Sequence, residues 1–218
     1  MKTAVLIGAT GLVGSHLLDQ LLNSDYYSQI DVFSRRPLDV KSKKLKVHII
    51  DFDKIDTWKE LIVGDDLFSA MGTTIKKAGS QDAQYLIDHT YPFQVASWAK
   101  KNGVKNYALV SSAGANSKSK VFYSRMKGEL DRDVTELGFA KTVIVKPSII
   151  EGRRNESRIG ETFGLKAMHA LKYIPGLNKY QPSPAELIAS CMVKALNDIS
   201  LIGNCEFELK EVLDYAKN

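Results

Sequence analysis

The sequence predicts a doubly wound parallel α/β sheet with helices on both faces, built as a single domain. Three observations carry this. Short apolar, β-branched runs recur along the chain, segments with helical spacing alternate with them, and a glycine-rich turn joins the first run to the first helical segment.

Each element follows in order. "TAVLIG" (Thr3–Gly8) is a compact apolar run of the kind that a parallel sheet buries on both faces. "SHLLDQLLN" (Ser15–Asn23) then carries apolar residues at helical spacing. "QIDVFSR", "KVHIIDF" and "DDLFSAM" read as the second, third and fourth strands. "PFQVASWAKKNG" reads as a helix closed by Gly103, a residue suited to a left-handed cap. "NYALVSSAG" and "KTVIVKPSII" are the fifth and sixth strands, with a helix between them that contains Tyr123 and Lys127. "AELIASCMVKAL" is a late helix, and "CEFELKEVLDYA" a last short strand followed by a terminal helix. No repeat, low-complexity tract or linker divides residues 1–218. "EGRRNESRIGE" (Glu151–Glu161) is the main irregular polar segment, and a small substrate-binding part is expected from the loop around 149–180.

Composition narrows the function classes. The chain has 218 residues, 44% of them hydrophobic and 25% charged, which is ordinary globular usage. The formal net charge is +5, but the lysines are dispersed, and the densest run, "KSKKLK" from Lys41 to Lys46, lacks interleaved aromatics. A nucleic-acid partner is therefore not expected, whereas an anionic ligand fits part of the excess. Cys191 and Cys205 are the two cysteines, with no metal-ligand spacing, which favours a reducing compartment and no metal site. No stretch approaches the roughly 20 apolar residues of a membrane span. The basic, apolar start "MKTAVLIGATG" leads straight into the glycine turn, so it reads as a core strand rather than a targeting segment. A cytoplasmic protein is the expectation.

The motifs point to a dinucleotide. "GATGLVG" sets Gly8, Gly11 and Gly14 at the junction of the first strand and first helix. Small residues there let the backbone approach a pyrophosphate, which the N–H groups and positive end of the helix attract. Gly8, Thr10, Gly11, Leu12 and Val13 are the candidate cofactor-binding residues of this turn. About twenty residues on, where an NAD site wants an acid for the ribose 2′-hydroxyl, the chain has Ser34, Arg35 and Arg36. Guanidinium groups suit a 2′-phosphate, so NADP(H) is expected over NAD(H), unless the arginines are only solvated charge. Asp51 and Phe52, after the third strand, sit at the level of the adenine, with Phe52 flanking the base and Asp51 either accepting from its amine or capping the next helix, a role Asp53 could equally fill. Tyr123 and Lys127 share a helical face, one turn apart.

The ordered set "GATGLVG", "SRR", "FSAMGTT" (Phe68–Thr74), "VSSAGAN" (Val110–Asn116), Tyr123-x-x-x-Lys127 and "KPSIIEGRRNESRIGE" (Lys146–Glu161) resembles the atypical, NAD(P)-binding branch of the short-chain dehydrogenase/reductase superfamily. Its HIV Tat-interactive protein 2-like (TIP30-like) oxidoreductases are the most similar group. The resemblance implies a Rossmann fold with Tyr123 as general acid/base. It also implies that Lys127 binds the nicotinamide ribose and eases loss of the phenol proton. A strand-end serine would orient the substrate oxygen, and Ser112 is preferred over Ser111. Ala70, Met71 and Gly72 would lie beside the nicotinamide-side ribose and pyrophosphate, with Pro147 and Ser148 near the nicotinamide. Arg153, Arg154 and Arg158 would line the substrate loop, as a carboxylate or phosphate clamp or merely as surface charge. His16, His48, His89 and His169 form no pair and are given structural roles.

Two departures limit what carries over. The segment after the sixth strand is short for a sugar-nucleotide epimerase, and "FSAMG" replaces the asparagine-rich fourth-strand motif of conventional members. The implied activity is NADPH-dependent reduction of a small carbonyl compound, or oxidation of the matching alcohol. The alternative is a non-catalytic NADP(H)-sensing module that binds another protein. A homodimer or a protein partner is compatible with either.

Overall fold

A computed structural model describes residues 1–151 and 181–218. Seven strands form one parallel sheet: β1 (Lys2–Ile7), β2 (Tyr27–Ser34), β3 (Leu45–Ile49), β4 (Asp66–Ser69), β5 (Asn106–Val110), β6 (Lys141–Lys146) and β9 (Gly203–Glu208). Their order is β3-β2-β1-β4-β5-β6-β9. Between β6 and β9, the two-residue strands β7 (Ile150–Glu151) and β8 (Ser183–Pro184) pair apart from the main sheet.

Side-chain alternation splits the core into two layers. On one face, Ala4, Leu6, Val32, Phe68, Ala108 and Val143 pack under helices α1 (Leu12–Asn23), α6 (Ala185–Asn197) and α7 (Lys210–Lys217). On the other face, Val5, Ile7, Phe33, Leu67, Leu109 and Ile144 pack under α4 (Tyr91–Lys101) and α5 (Phe122–Glu136). Strands covered on both sides read as continuous apolar runs, which is why their sequences announce them. Gly103 has φ +91° and follows the last turn of α4, as its sequence context predicts.

Several elements end earlier than the sequence suggests. The third strand stops at Ile49, and Phe52 opens a 3-10 turn (Phe52–Thr57) that Asp51 caps by accepting the Asp53 N–H at 3.1 Å. The sixth strand stops at Lys146, because Pro147 has no N–H to continue a ladder. Three short pieces between β4 and α4 have no apolar period: α2 (Ile75–Ala78), α3 (Gln81–Tyr85) and a π-helical turn (Leu86–Thr90) that runs directly into α4. Most of the expected substrate loop, with Arg153, Arg154, Arg158 and His169, lies outside the described residues.

Candidate cofactor and active site

The order reverses direction at β1, which has β2 on one side and β4 on the other. In such sheets ligands bind beyond the C-terminal strand ends at this switch point. The glycine turn lies there and could not be built otherwise. Gly8 has φ +84°, and a Cβ on it would sit 2.5 Å from the Ala70 carbonyl carbon. A Cβ on Gly14 would sit 1.9 Å from the Gly8 oxygen. The close approach thus joins the end of β1 to Ala70 and Met71 after β4 and to the first turn of α1. Gly11 is the N-cap and no side chain caps it, so the helix start faces the crevice with its backbone, as a pyrophosphate requires. Thr10 and Gly11 are exposed and Val13 is buried, so Gly8, Thr10, Gly11 and Leu12 are the part of the turn that a ligand can reach.

At the end of β2, Ser34 is buried and its Oγ accepts the Arg36 N–H at 3.3 Å, turning the chain outward. Arg35 and Arg36 are both exposed. Across from them, Tyr91 donates to Asp53. Burial, then that bond, pushes the Tyr91 phenol up to about 12, and Arg35 opposes the shift through its charge. Asp51 is half-exposed, with its cap to Asp53 and a 3.6 Å ion pair to Lys54. Phe52 is buried, its ring stacked on Tyr91 at 5.3 Å and edge-on to Trp58 at 5.7 Å. Phe52 is therefore a core residue here, not a free face beside a base.

The fourth-strand loop is anchored from below. Thr73 donates its N–H to Asp88 at 2.6 Å, and Gln84 donates to the Thr73 carbonyl at 3.2 Å. A Cβ on Gly72 would lie 3.5 Å from the Asp88 carboxylate. That same carboxylate stands 3.6 Å from the Lys127 ammonium, and both side chains are almost wholly buried. Burial pushes the Asp88 carboxyl up, while Lys127 and the Thr73 N–H pull it down. Asp88 thus ties the loop after β4 to the Tyr/Lys helix. No short motif signals it, since its partners lie far away in sequence. It stands in the π-helical turn, an irregularity frequent at functional sites.

On α5 the two candidate residues differ sharply. Tyr123 is 41% exposed and Lys127 is 3% exposed. The helix packs tightly against the loop after β5, where a Cβ on Gly128 would lie 2.2 Å from the Ser117 nitrogen. The two serines diverge as strand alternation requires. Ser111 is buried and continues the face of Tyr107 and Leu109, toward Asp131 of α5. Ser112 is half-buried, its Oγ reaching only the Ala113 carbonyl at 3.4 Å. Of the pair, Ser112 is the one a substrate could meet. Pro147 is buried, and Ser148 donates to the Gln181 carbonyl and lies 3.2 Å from Ser183 Oγ, so it is held at the β7–β8 pair. His48 pairs with Asp31 at 2.6 Å and His89 with Asp133 at 2.9 Å, both structural partners. Among the described residues no His/Cys/Asp/Glu group could hold a metal.

A family profile described as NAD(P)H-binding matches residues 8–159, from the glycine turn through the Tyr/Lys helix and beyond β6. The chain belongs to this NAD(P)H-binding family. The resemblance to atypical short-chain dehydrogenase/reductases is borne out with it. Protein fmp52, mitochondrial, of Aspergillus fumigatus is 39% identical over 184 residues, covering 81% of this chain and 76% of that protein. Its namesake in Candida glabrata is 38% identical over 162 residues, covering 73% and 68%. Among solved structures, the Bordetella bronchiseptica enzyme WbmH in complex with NAD+ superposes with a TM-score of 0.72 at 15% identity, covering 95% of this chain and 75% of that one. A Thermotoga maritima UDP-glucose 4-epimerase gives 0.69 at 14%, covering 99% and 84%. These two share the fold of the NAD(P)H-binding protein. The relatives overturn one expectation. They are named mitochondrial, against the cytoplasmic reading, because cysteine usage bears on redox state and not on organelle.

Proposed function

We propose that this NAD(P)H-binding protein is an NADPH-dependent reductase, or in reverse a dehydrogenase, of a small carbonyl or alcohol substrate, working in mitochondria as its relatives are named to do. One observation carries the reading: an accessible Tyr123 phenol stands one helical turn from a buried ammonium, Lys127, whose carboxylate partner also anchors the loop after β4. A pure binding module has no chemical need for that phenol.

Gly8, Thr10, Gly11 and Leu12 would hold the pyrophosphate, and Ala70, Met71 and Gly72 would flank it. Arg35 and Arg36 would take the 2′-phosphate, with Ser34 and Asp51 at the rim. Bound there, the nicotinamide supplies or accepts the hydride. Tyr123 gives its proton to the carbonyl oxygen, and Ser112 orients that oxygen. Lys127 holds the ribose and stabilises the phenolate left behind.

A screen of small aldehydes and ketones that follows NADPH oxidation tests this. Tyr123→Phe is expected to lower turnover by about 10²–10⁴-fold. Because Tyr123 is exposed, its NADPH affinity and melting temperature should stay at the wild-type values. Tight NADPH binding without turnover of any carbonyl would instead favour the sensing module.

A further inference from the structure

Behind the Tyr/Lys helix runs a line of charges longer than the pair needs. Asp88 lies 3.6 Å from Lys127. One turn further along α5 is Asp131, buried and 3.4 Å from Lys146, which in turn lies 2.6 Å from Glu206 on the edge strand β9. The line therefore alternates three acids with two cations, so one carboxyl lacks a cation of its own. Asp131 is the interior acid. Ser111 Oγ and the Lys146 ammonium both face its carboxylate, and neither contact reaches close hydrogen-bond geometry. The Tyr107 hydroxyl, below on β5, faces Ser69 and feels the Asp131 charge. An open cleft of about 460 Å³ reaches this acid from outside, between Asn116, Ser117, Gly128, Asp131, Lys146 and Glu206.

We propose that Asp131 is a positioning residue for Lys127, whose charge, set through Lys146 and the cleft, governs how strongly the ammonium serves the bound dinucleotide. This rests on the reading of Lys127 as a cofactor ligand. Ionised, Asp131 acts through its charge on the ammonium one helical turn away and adds negative charge behind a polyanion site, which weakens binding. Protonated, it donates to Ser111 and leaves Lys127 to Asp88 and the cofactor. Burial favours the protonated form, against the pull of Ser111, Lys146 and Lys127. The groups facing Asp131 are Lys127 on its own helix, Lys146 on β6, and Tyr107 and Ser111 on β5, with Glu206 of β9 beyond Lys146 and Arg132 and Glu136 of α5 lining the same cleft.

The test is NADPH affinity across pH by calorimetry, for the wild type, Asp131→Asn and Lys146→Met. Asp131→Asn should bind roughly threefold tighter than wild type where Asp131 is ionised, and the two should converge as pH falls and the wild-type acid takes its proton. The comparison cancels titration of the 2′-phosphate. Lys146→Met, which removes the outer cation, should move the wild-type step to higher pH, and decides the matter if Asp131→Asn does not fold. Parallel profiles for wild type and Asp131→Asn, or a step unmoved in Lys146→Met, would overturn the proposal and leave the reductase reading intact. No NADPH binding by the wild type would overturn both.

Discussion

The two ends of the sheet solve the same problem differently. At the N-terminal end, Asp66 is wholly buried and fully bonded: Tyr27 Oη donates at 2.6 Å, Asn106 Nδ2 at 2.7 Å and Lys2 Nζ at 3.0 Å. Asn197 closes the group by donating to Tyr27 Oη at 2.9 Å while accepting from Lys2. At the C-terminal end the contacts are looser: Asp88 meets Lys127 only at 3.6 Å, and Asp131 meets Lys146 at 3.4 Å. A saturated buried network contributes stability and rigidity, whereas an unsaturated one costs stability and is retained where chemistry is done.

That contrast can be broken at either end. The largest effect on stability is expected from Asp66→Ala, which strands Tyr27 Oη, Asn106 and Lys2 at once. Chemical denaturation should show a loss of about 3 kcal/mol, with NADPH affinity unchanged in the folded fraction. A loss under about 1 kcal/mol would mean that the cluster is not the anchor described.

Asp88→Asn sharpens the other end. The amide oxygen still accepts from Thr73, but the charge opposite Lys127 is gone. Turnover is expected to fall by roughly tenfold or more, and stability by about 2 kcal/mol, since the backbone bond survives but the buried Lys127 ammonium loses its counter-charge. A stability loss with turnover unchanged would make Asp88 only a structural acceptor.

The smallest effect is the pH dependence. Burial holds the Asp88 and Asp131 carboxyls above their unfolded values, so the folded state keeps protons that the unfolded state releases. Their favourable contribution is therefore present at pH below about 4 and is lost as pH rises through the folded values. Stability measured from acid to neutral pH should decline less steeply in Asp88→Asn and Asp131→Asn than in the wild type. An unchanged slope in both would show that these acids ionise as freely in the folded chain as in the unfolded one.

What was legible in the sequence was local. The buried parallel strands declare themselves as apolar runs. The glycine turn declares itself by spacing, and Tyr123 and Lys127 by one helical turn. Gly8 and Gly14 could be read because nothing larger fits against Ala70 and the Gly8 carbonyl. The Asp88–Lys127 pair was not legible, since it joins residues far apart in the chain through a π-helical turn that no periodicity marks. Phe52 misled for a related reason: after a strand, an aromatic beside a ligand and an aromatic stacked into the core look alike until Tyr91 and Trp58 are placed. Ser111 and Ser112 were separated only by the face each takes.

The most direct test of the account is a calorimetric titration of the wild type and Arg35→Ala with NADPH and NADH. The account predicts tight NADPH binding that weakens by roughly tenfold or more in Arg35→Ala, with NADH affinity little changed. No binding of either dinucleotide, or equal affinity for both in the wild type, would contradict it.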